Sequence, residues 1–325
     1  MTQSSKILLV TGASGFLGSR VVCLARQAGW RVRAFDRTPQ LEAGGIETFV
    51  GDISDCALLR KASEGVAAIV HAAGLAHVVG SSARNSSAFN AVNEVGTGNV
   101  VDAALECSVP HVVLVSSVSV YGSYPGKKCD ELVPCHPIGP YAVSKWRGEL
   151  RATERMATGR GSLTVLRFTT MYGEEDRGNV ARLIGALDRN RFVWPGDGAN
   201  QKCLIYKDDA AHACLLTLDC PASNLEVFNV SAPPAAMKEI VTDICHALGR
   251  PVPRFGIPLP FLTACGAFAR KMGDPGHFDQ RLQKFIHDDV YDGAKFEAAY
   301  GYSPVASLAE GIQREVESLR GRSTT

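Results

Sequence analysis

Residues Ile7–Gly18 read ILLVTGASGFLG, and their pattern indicates the fold class of the whole chain. The first four residues form a continuous apolar run of the kind found in buried β-strands. Glycines follow at positions 12, 15 and 18, and glycine permits a tight turn in which backbone N–H groups approach a pyrophosphate at a helix N-terminus. Ser19–Ala28 is predicted to be that helix. The stretch is therefore interpreted as a strand, a phosphate-binding turn and a helix.

The same alternation of short apolar runs and helical segments continues to about residue 175. The predicted strands after the first are Arg31–Phe35, Glu47–Val50, Ala67–His71, His111–Ser116 and Leu163–Phe168. The predicted helices between them are Ala57–Ser63, Ala88–Cys107 and Tyr141–Ala157, with Ser81–Ser87 as a polar loop. Such an order predicts an α/β fold, a doubly wound parallel sheet of the Rossmann type with helices on both faces.

Composition narrows the class of protein. The chain has 325 residues, of which 46% are apolar and 21% charged, as in a globular protein with a sizeable core. Lys and Arg number 34 against 33 Asp and Glu, so the net charge is +1 and no attraction to nucleic acid or to a membrane surface is expected. Ten scattered cysteines without a Cys-x-x-Cys pair fit a reducing cytosol and no metal site, so a cytoplasmic location is predicted.

Two acidic residues follow predicted strands where a dinucleotide would lie. Asp36 can accept hydrogen bonds from a ribose 2′-hydroxyl and would repel a 2′-phosphate, which favours NAD over NADP. Arg37 weakens that preference, because an arginine can pair with such a phosphate. Asp52 and Ile53 are placed beside the adenine, although Asp52 could equally be a helix N-cap.

Tyr141 and Lys145 stand one helical turn apart and so share a helix face. A neighbouring ammonium stabilises a phenolate, and the pair can therefore act as a general base toward an alcohol. The segment Val115–Gly122 reads VSSVSVYG at the carboxyl end of a predicted strand, where open α/β sheets bind their ligands. A serine there can hydrogen-bond the same substrate oxygen.

These motifs together resemble the extended short-chain dehydrogenase/reductases, and in particular the NAD-dependent epimerase/dehydratase family, whose type member is UDP-glucose 4-epimerase. The resemblance extends over nearly the whole chain. It implies NAD as cofactor and a domain of residues 1–175 that binds it. It also implies a smaller mixed α/β domain of residues 176–325 that mainly binds substrate, with residues 204–232 returning to the first domain.

The resemblance also assigns roles to residues. The catalytic set that it implies is Ser117, Tyr141 and Lys145. The cofactor contacts that it implies are Gly12, Gly15, Phe16, Leu17, Gly18, Asp36, Arg37, Asp52, Ile53, Ala72, Ala73, Gly74, Asn93, Ser116, Tyr141, Lys145 and Phe168. The substrate contacts that it implies are Ser117, Ser119, Thr170, Asn179, Trp194, Pro195, Lys202 and Arg281.

The expected activity is that of a nucleotide-sugar epimerase, with a UDP-hexose 4-epimerase favoured, in which a sugar hydroxyl is oxidised and the hydride returned on the other face. Related dehydratases resemble one another in having an Asp-Glu pair where this chain has Val118-Ser119, so no dehydratase activity is expected. One alternative is a net NAD(P)-dependent oxidoreductase similar to 3β-hydroxysteroid dehydrogenases, suggested by the apolar segment Phe255–Ala269. Another is a silent dinucleotide-binding regulator. Family members resemble one another in forming homodimers, so a homodimer is expected.

Overall fold

We analysed a computed structural model of the chain. The structure describes residues 6–38, 45–76, 82–124, 128–158, 161–219, 224–257, 261 and 286–323. Arg281 and most of the segment 255–269 lie outside the described residues.

A seven-stranded parallel sheet forms the centre of the molecule, with the strand order β11-β6-β5-β4-β1-β2-β3. Its strands are β1 (Ile7–Thr11), β2 (Arg31–Asp36), β3 (Glu47–Val50), β4 (Ala68–His71), β5 (His111–Ser117), β6 (Ser162–Phe168) and β11 (Leu225–Val230). The chain order reverses between β1 and β4, and ligands bind at such a switch point, at the carboxyl ends of the strands. The expected doubly wound parallel sheet is confirmed.

Helices cover both faces of the sheet and build the second part of the chain. They are α1 (Gly18–Gln27), α2 (Cys56–Ser63), α3 (Ser82–Phe89), α4 (Thr97–Glu106), α5 (Pro140–Met156), α6 (Asn179–Asp188), α7 (Lys207–Asp219), α8 (Met237–Leu248), α9 (Ala294–Tyr300) and α10 (Leu308–Ser323). A 3-10 turn, Val118–Tyr121, follows β5. Two apolar layers of buried aliphatic side chains lie on the two faces of the sheet.

The long helix predicted over 88–107 is wrong in its start and in its regularity. Helix α3 begins at Ser82, within the stretch interpreted as a polar loop, and a π-helical turn over Asn90–Gly96 separates it from α4. A π-helical turn has one extra residue per hydrogen-bonded ring and is common at functional sites. Here it turns the buried Asn93 toward the sheet ends.

A smaller apolar cluster lies beyond β6 and unites α6, α8 and α10. Three short strand pairs, each separate from the main sheet, lie in the chain after β6. They are formed by β7 (Thr170–Tyr172) with β10 (Leu204–Tyr206), β9 (Gln201–Lys202) with β12 (Ala235–Ala236), and β8 (Trp194–Pro195) with β13 (Gly256–Ile257). Helix α7 packs on α1, and β11 pairs with β6 at the edge of the main sheet. The boundary at residue 175 stays a prediction.

Candidate active site

The glycine turn between β1 and α1 is held tightly against the next loop. Gly12 has φ +68°, and a Cβ there would stand 2.6 Å from the backbone N and Cα of Ala73. A Cβ on Gly18 would stand 2.0 Å from the Gly12 carbonyl oxygen. Side chains are therefore excluded from both positions, and the backbone of the turn is free to approach a phosphate. Phe16 and Leu17 lie within this turn, between Gly15 and Gly18, and Lys207 Nζ lies 5.9 Å from the Phe16 ring centre.

A cavity of about 230 Å³ opens beside this turn. It is lined by Gly12, Ser14, Gly15, Phe35, Asp36, Arg37, Gly51, Asp52, Ile53, Ala72, Ala73, Gly74, Leu75 and Val92. The lining therefore includes nine of the residues expected to contact the cofactor.

Asp36 lies at the end of β2 in this cavity. It accepts backbone hydrogen bonds from Ser14 (2.9 Å) and Arg37 (2.7 Å). Burial raises the pKa of its carboxyl, but these donors outweigh burial and hold the pKa below its usual value. The carboxylate is thus ionised and oriented, with lone pairs left for ribose hydroxyls.

Asp52 lies in the cavity but does not cap a helix, so that alternative is wrong. Its Oδ1 accepts the Ser54 backbone N–H at 2.9 Å. The N-cap of α2 is Asp55, whose side chain accepts the Leu58 N–H at 3.0 Å. The loop after β3 thus has one aspartate, Asp52, in the cavity and another, Asp55, as the cap of α2.

The three residues predicted to be catalytic come together at the carboxyl end of β5. Ser117 is the last residue of that strand, and its side chain forms a hydrogen bond with Tyr141. Tyr141 is the second residue of α5. Burial raises the pKa of the Tyr141 phenol, and the Ser117 hydrogen bond partly offsets that rise. The ring of Phe89, on α3, packs edge-on against Tyr141 with ring centres 5.9 Å apart. Phe168 pairs with Ser117 across the sheet and is buried.

Lys145 approaches the site from the same helix as Tyr141. Its Nζ donates to the Val115 carbonyl at 2.7 Å and lies near Gly74, where a Cβ would stand 3.3 Å from the ammonium. Burial lowers the pKa of Lys145 to about 8, although the charge of Glu149 opposes that decrease. A lysine with this pKa is mostly cationic at pH 7 and favours the ionised phenol.

Beneath Lys145 lies a buried ion pair that sequence reasoning missed. Arg167 donates to both carboxylate oxygens of Glu149, with its shortest contact at 2.7 Å, and the two side chains are about 5% exposed. The Ser116 hydroxyl donates to the same carboxylate. Ser116 therefore faces this pair, although it was expected to contact the cofactor. The sequence offered one indication of this pair, because Glu149 lies one helical turn after Lys145 and therefore on the same face of α5.

These residues fit an NAD molecule. The glycine turn excludes side chains from the path of a pyrophosphate, and the cavity ends at an ionised, oriented Asp36. Lys145 and Asn93 both face Gly74, with the Asn93 Oδ1 also 3.3 Å from a Cβ at that position. The glycine turn and Asp36 would hold the adenosine diphosphate half, and Lys145 would hold the second ribose.

The structure positions several expected substrate residues in contacts of their own. Trp194 donates its Nε1 to the Pro253 carbonyl at 2.7 Å, and its ring packs edge-on against Phe192. Pro195 pairs with Ile257 in the β8–β13 ladder. Lys202 donates to the Asp289 carboxylate and to a backbone carbonyl, so its ammonium already has partners within the protein.

Thr170, the first residue of β7, and Asn179, the first residue of α6, are both exposed. Asn179 begins α6, but the buried Asp176 accepts the N–H groups of Gly178 (2.7 Å) and Ala181 (3.2 Å). Part of the anion-binding capacity of this helix N-terminus is thus taken by the protein itself. Ser119 has a buried hydroxyl that has no hydrogen-bond partner among the described residues.

The fold and the Ser117, Tyr141 and Lys145 arrangement define an extended short-chain dehydrogenase/reductase. The profile of the NAD dependent epimerase/dehydratase family matches residues 8–231. The chain belongs to this family. The family match confirms the expectations of an enzyme and of NAD as its cofactor.

Relatives within the family differ in activity. The chain is 29% identical over 318 residues to the N-acetyl-alpha-D-glucosaminyl-diphospho-ditrans,octacis-undecaprenol 4-epimerase of Escherichia coli O157:H7, covering 95% of this chain and 94% of that protein. It is also 29% identical over 339 residues to the 2-alkyl-3-oxoalkanoate reductase of Stenotrophomonas maltophilia (strain K279a), covering 94% and 97%.

Among solved structures, MoeE5 in complex with UDP-glucose and NAD is similar, with a TM-score of 0.78 and 27% identity over 98% of this chain and 99% of that one. Within the described residues, no helix is long and apolar enough to cross a membrane.

Proposed function

We propose that the protein is an NAD-dependent nucleotide-sugar epimerase, acting on a UDP-hexose at C4. The observation that carries this proposal is the meeting of Ser117, Tyr141 and Lys145 at the carboxyl end of β5, with the Lys145 ammonium beside Gly74, which lines the cavity that fits NAD. The relatives support the same class of reaction, because they include a 4-epimerase of a diphospho-sugar and a UDP-glucose-binding protein.

The chemistry of the chain's own residues follows from this geometry. Bound NAD⁺ supplies a hydride acceptor and, in the reverse step, a donor. The Tyr141 phenolate takes the proton from the sugar hydroxyl, while the Ser117 hydroxyl holds the same oxygen. Lys145 lowers the free energy of the phenolate through its positive charge. After the keto sugar turns over, Tyr141 returns the proton to the same oxygen.

Ser119 and Val118 argue against a dehydratase. Elimination of water requires an acid and a base in addition to Tyr141, and neither residue carries a carboxyl group. The unpartnered Ser119 hydroxyl instead supports a contact with a sugar hydroxyl. Trp194 and Pro195 for the base, and Thr170, Asn179, Lys202 and Arg281 for the diphosphate, are part of the same proposal.

A homodimer and a cytoplasmic location complete the proposal. Helices α4 and α5 pack against one another, and α5 leaves Leu150 48% exposed. An exposed leucine on a helix face supports a subunit contact there. The measurement is the mass in solution by light scattering.

The test of the proposed activity is proton NMR of the purified protein with catalytic NAD⁺. The tubes contain UDP-glucose, UDP-galactose, their N-acetylated forms, the uronic acids, and a short polyprenyl-diphospho-N-acetylglucosamine. A new anomeric signal without net NADH supports epimerisation and identifies the sugar. Conversion of the lipid-linked sugar alone would refute the nucleotide part of the proposal, and conversion of none would refute the whole.

A matched pair of variants tests the base. We expect Tyr141→Phe to lower kcat by about 10³-fold, because general acid–base catalysis contributes on this scale. Tyr124→Phe, at an exposed tyrosine, is the control and is expected to keep full activity. Equal activity of the two variants would rule out Tyr141 as the base.

A second candidate is a net oxidoreductase, because the 2-alkyl-3-oxoalkanoate reductase is as similar in sequence as the 4-epimerase. Phe255, which suggested an apolar pocket, is 88% exposed. Stoichiometric oxidation of NADH or NADPH with β-keto acids or steroid ketones would favour this candidate.

A further inference from the structure

His71 ends β4 at the switch point of the sheet and is 1% exposed. It pairs with Thr11 of β1 in the strand register, and its Nδ1 lies 2.7 Å from the Thr11 hydroxyl oxygen. Its Nε2 lies 3.0 Å from the hydroxyl oxygen of Thr97, at the start of α4. The imidazole therefore bridges the strand that leads into the glycine turn and the helix that follows the π-helical turn.

The direction of every proton in this bridge can be derived. The Thr97 hydroxyl donates its only proton to the Asn93 backbone carbonyl at 2.7 Å, because a carbonyl can only accept. Thr97 must therefore accept from His71, which requires the proton on Nε2. Nδ1 of the neutral ring is then an acceptor, and the Thr11 hydroxyl donates to it.

Both ends of the bridge continue into the active site. On one side, the Thr11 oxygen accepts the Ala73 backbone N–H at 3.4 Å, and Ala73 packs against Gly12 of the glycine turn. On the other side, Asn93 donates from its side-chain amide to Ser144 at 2.9 Å, and Ser144 donates to the Tyr141 carbonyl at 2.8 Å. The side chains of Thr11, Thr97, Asn93 and Ser144 are all buried.

Each side chain of this buried hydrogen-bond network has a partner, and a cationic imidazole would disturb the network. A second proton on the ring would sit on Nδ1 and make that nitrogen a donor. The Thr11 hydroxyl, which donates to Nδ1 when the ring is neutral, would then have to turn its own proton away. Burial and the charge of Lys145 lower the pKa of His71 to about 3, which keeps the ring neutral. A fully satisfied buried network holds its elements in one arrangement.

We propose that His71 is a positioning residue which, as a neutral imidazole with its proton on Nε2, couples the pyrophosphate turn to the catalytic helix α5. The coupling passes from Thr11 through His71 and Thr97 to Asn93 and Ser144. The inference rests on the proposed function only in that Tyr141 is taken as the base. Its effect on cofactor binding does not depend on the sugar.

The first test is the tautomer itself, measured by long-range ¹H–¹⁵N correlation spectra of protein labelled at its eight histidines. The His71 signals are those lost in His71→Gln or, if that variant does not fold, those shifted in both Thr11→Val and Thr97→Val. We expect the Nε2–H pattern at pH 7. An Nδ1–H or imidazolium pattern would overturn the proposal.

The second test separates coupling from mere stability. Thr97 lies away from the glycine turn, yet we expect Thr97→Val to raise the Kd of NAD⁺ about fivefold at a temperature far below its Tm. In a Thr11→Val background, the Thr97→Val change should have no further effect on the Kd of NAD⁺, because the hydrogen-bond network is already interrupted at Thr11. The control is Thr164→Val, which removes a buried hydroxyl that has no partner among the described residues and should leave the Kd unchanged.

An unchanged Kd in Thr97→Val, or a full fivefold effect in both backgrounds, would overturn the proposal. On a substrate identified by the NMR panel, Thr11→Val should also lower kcat about fivefold at saturating NAD⁺. If no sugar is converted, the proposed function fails, while the tautomer and the NAD⁺ affinity still decide the role of His71.

Discussion

Replacing Glu149 by Gln tests whether the buried ion pair beneath Lys145 supports both stability and catalysis. The change keeps the shape of the side chain and removes its charge. Arg167, about 5% exposed, would then be a buried cation without a carboxylate. Breaking a buried pair by removing one partner costs about 3–5 kcal/mol.

The contacts of Arg167 place the expected cost at the low end of that range. The guanidinium keeps its hydrogen bond to the Tyr121 hydroxyl (2.8 Å) and its position over the rings of Tyr121 and Trp146. One glutamine oxygen can still accept from Arg167. We therefore expect a loss of about 3 kcal/mol in the free energy of unfolding, which corresponds to a decrease in Tm of about 4 °C for a chain of this size.

The same change should alter the pH dependence of activity. The Glu149 carboxylate raises the pKa of Lys145, so its removal takes that pKa below about 8. The protonated lysine is the active form, and activity is lost as the pH rises through its pKa. The alkaline limb of the kcat profile should therefore move to lower pH in Glu149→Gln.

The assay combines thermal unfolding with a kcat profile over pH 6–10. The control is Glu106→Gln, which removes an exposed pair with Arg60 in which both side chains are more than half exposed. An exposed pair contributes less than about 1 kcal/mol. The reasoning is refuted if the two variants unfold at the same temperature, or if the alkaline limb of Glu149→Gln does not move.

Three further predictions concern the other buried or constrained groups. Burial, chiefly, raises the pKa of Glu315 to about 8, so the folded protein binds a proton that the unfolded chain releases above about pH 4.5, and stability falls as the pH rises from 5 to 8. Glu315→Gln should therefore be more stable than the parent by about 3 kcal/mol at pH 7 and by about 1 kcal/mol at pH 5 in urea unfolding; a constant difference across this range would contradict the assignment. Asp36→Asn should raise the Kd of NAD⁺ and lower that of NADP⁺, each about tenfold by isothermal titration, because it removes the ribose acceptor and the charge that repels a 2′-phosphate; an unchanged ratio would count against Asp36 as the selector. Gly12→Ala should abolish NAD⁺ binding because its Cβ would overlap Ala73, whereas Gly29→Ala, also at positive φ but with open space around it, should cost only stability; retained NAD⁺ binding in the first variant would argue against the glycine turn as the cofactor site.

Local patterns were enough to predict most of the sheet. The strand Glu47–Val50 has the predicted bounds, and most other elements of the first domain shift by one or two residues. The prediction was wrong for α3, because Ser82–Phe89 has a polar composition typical of a loop. The last residue of that helix, Phe89, packs edge-on against the ring of Tyr141, a contact that local composition does not reveal.

Sequence patterns were sufficient to predict the parallel α/β fold, the glycine turn, the position of Asp36 and the pairing of Tyr141 with Lys145. These features depend on short spacings, such as one helical turn or one strand, which a sequence displays directly. Tertiary structure alone decided the contacts of groups far apart in the chain. It joined Glu149 to Arg167, His71 to Thr11 and Lys202 to Asp289, pairs separated by 18, 60 and 87 residues. A buried charge or imidazole must find partners wherever the fold brings them, and those partners set its protonation state.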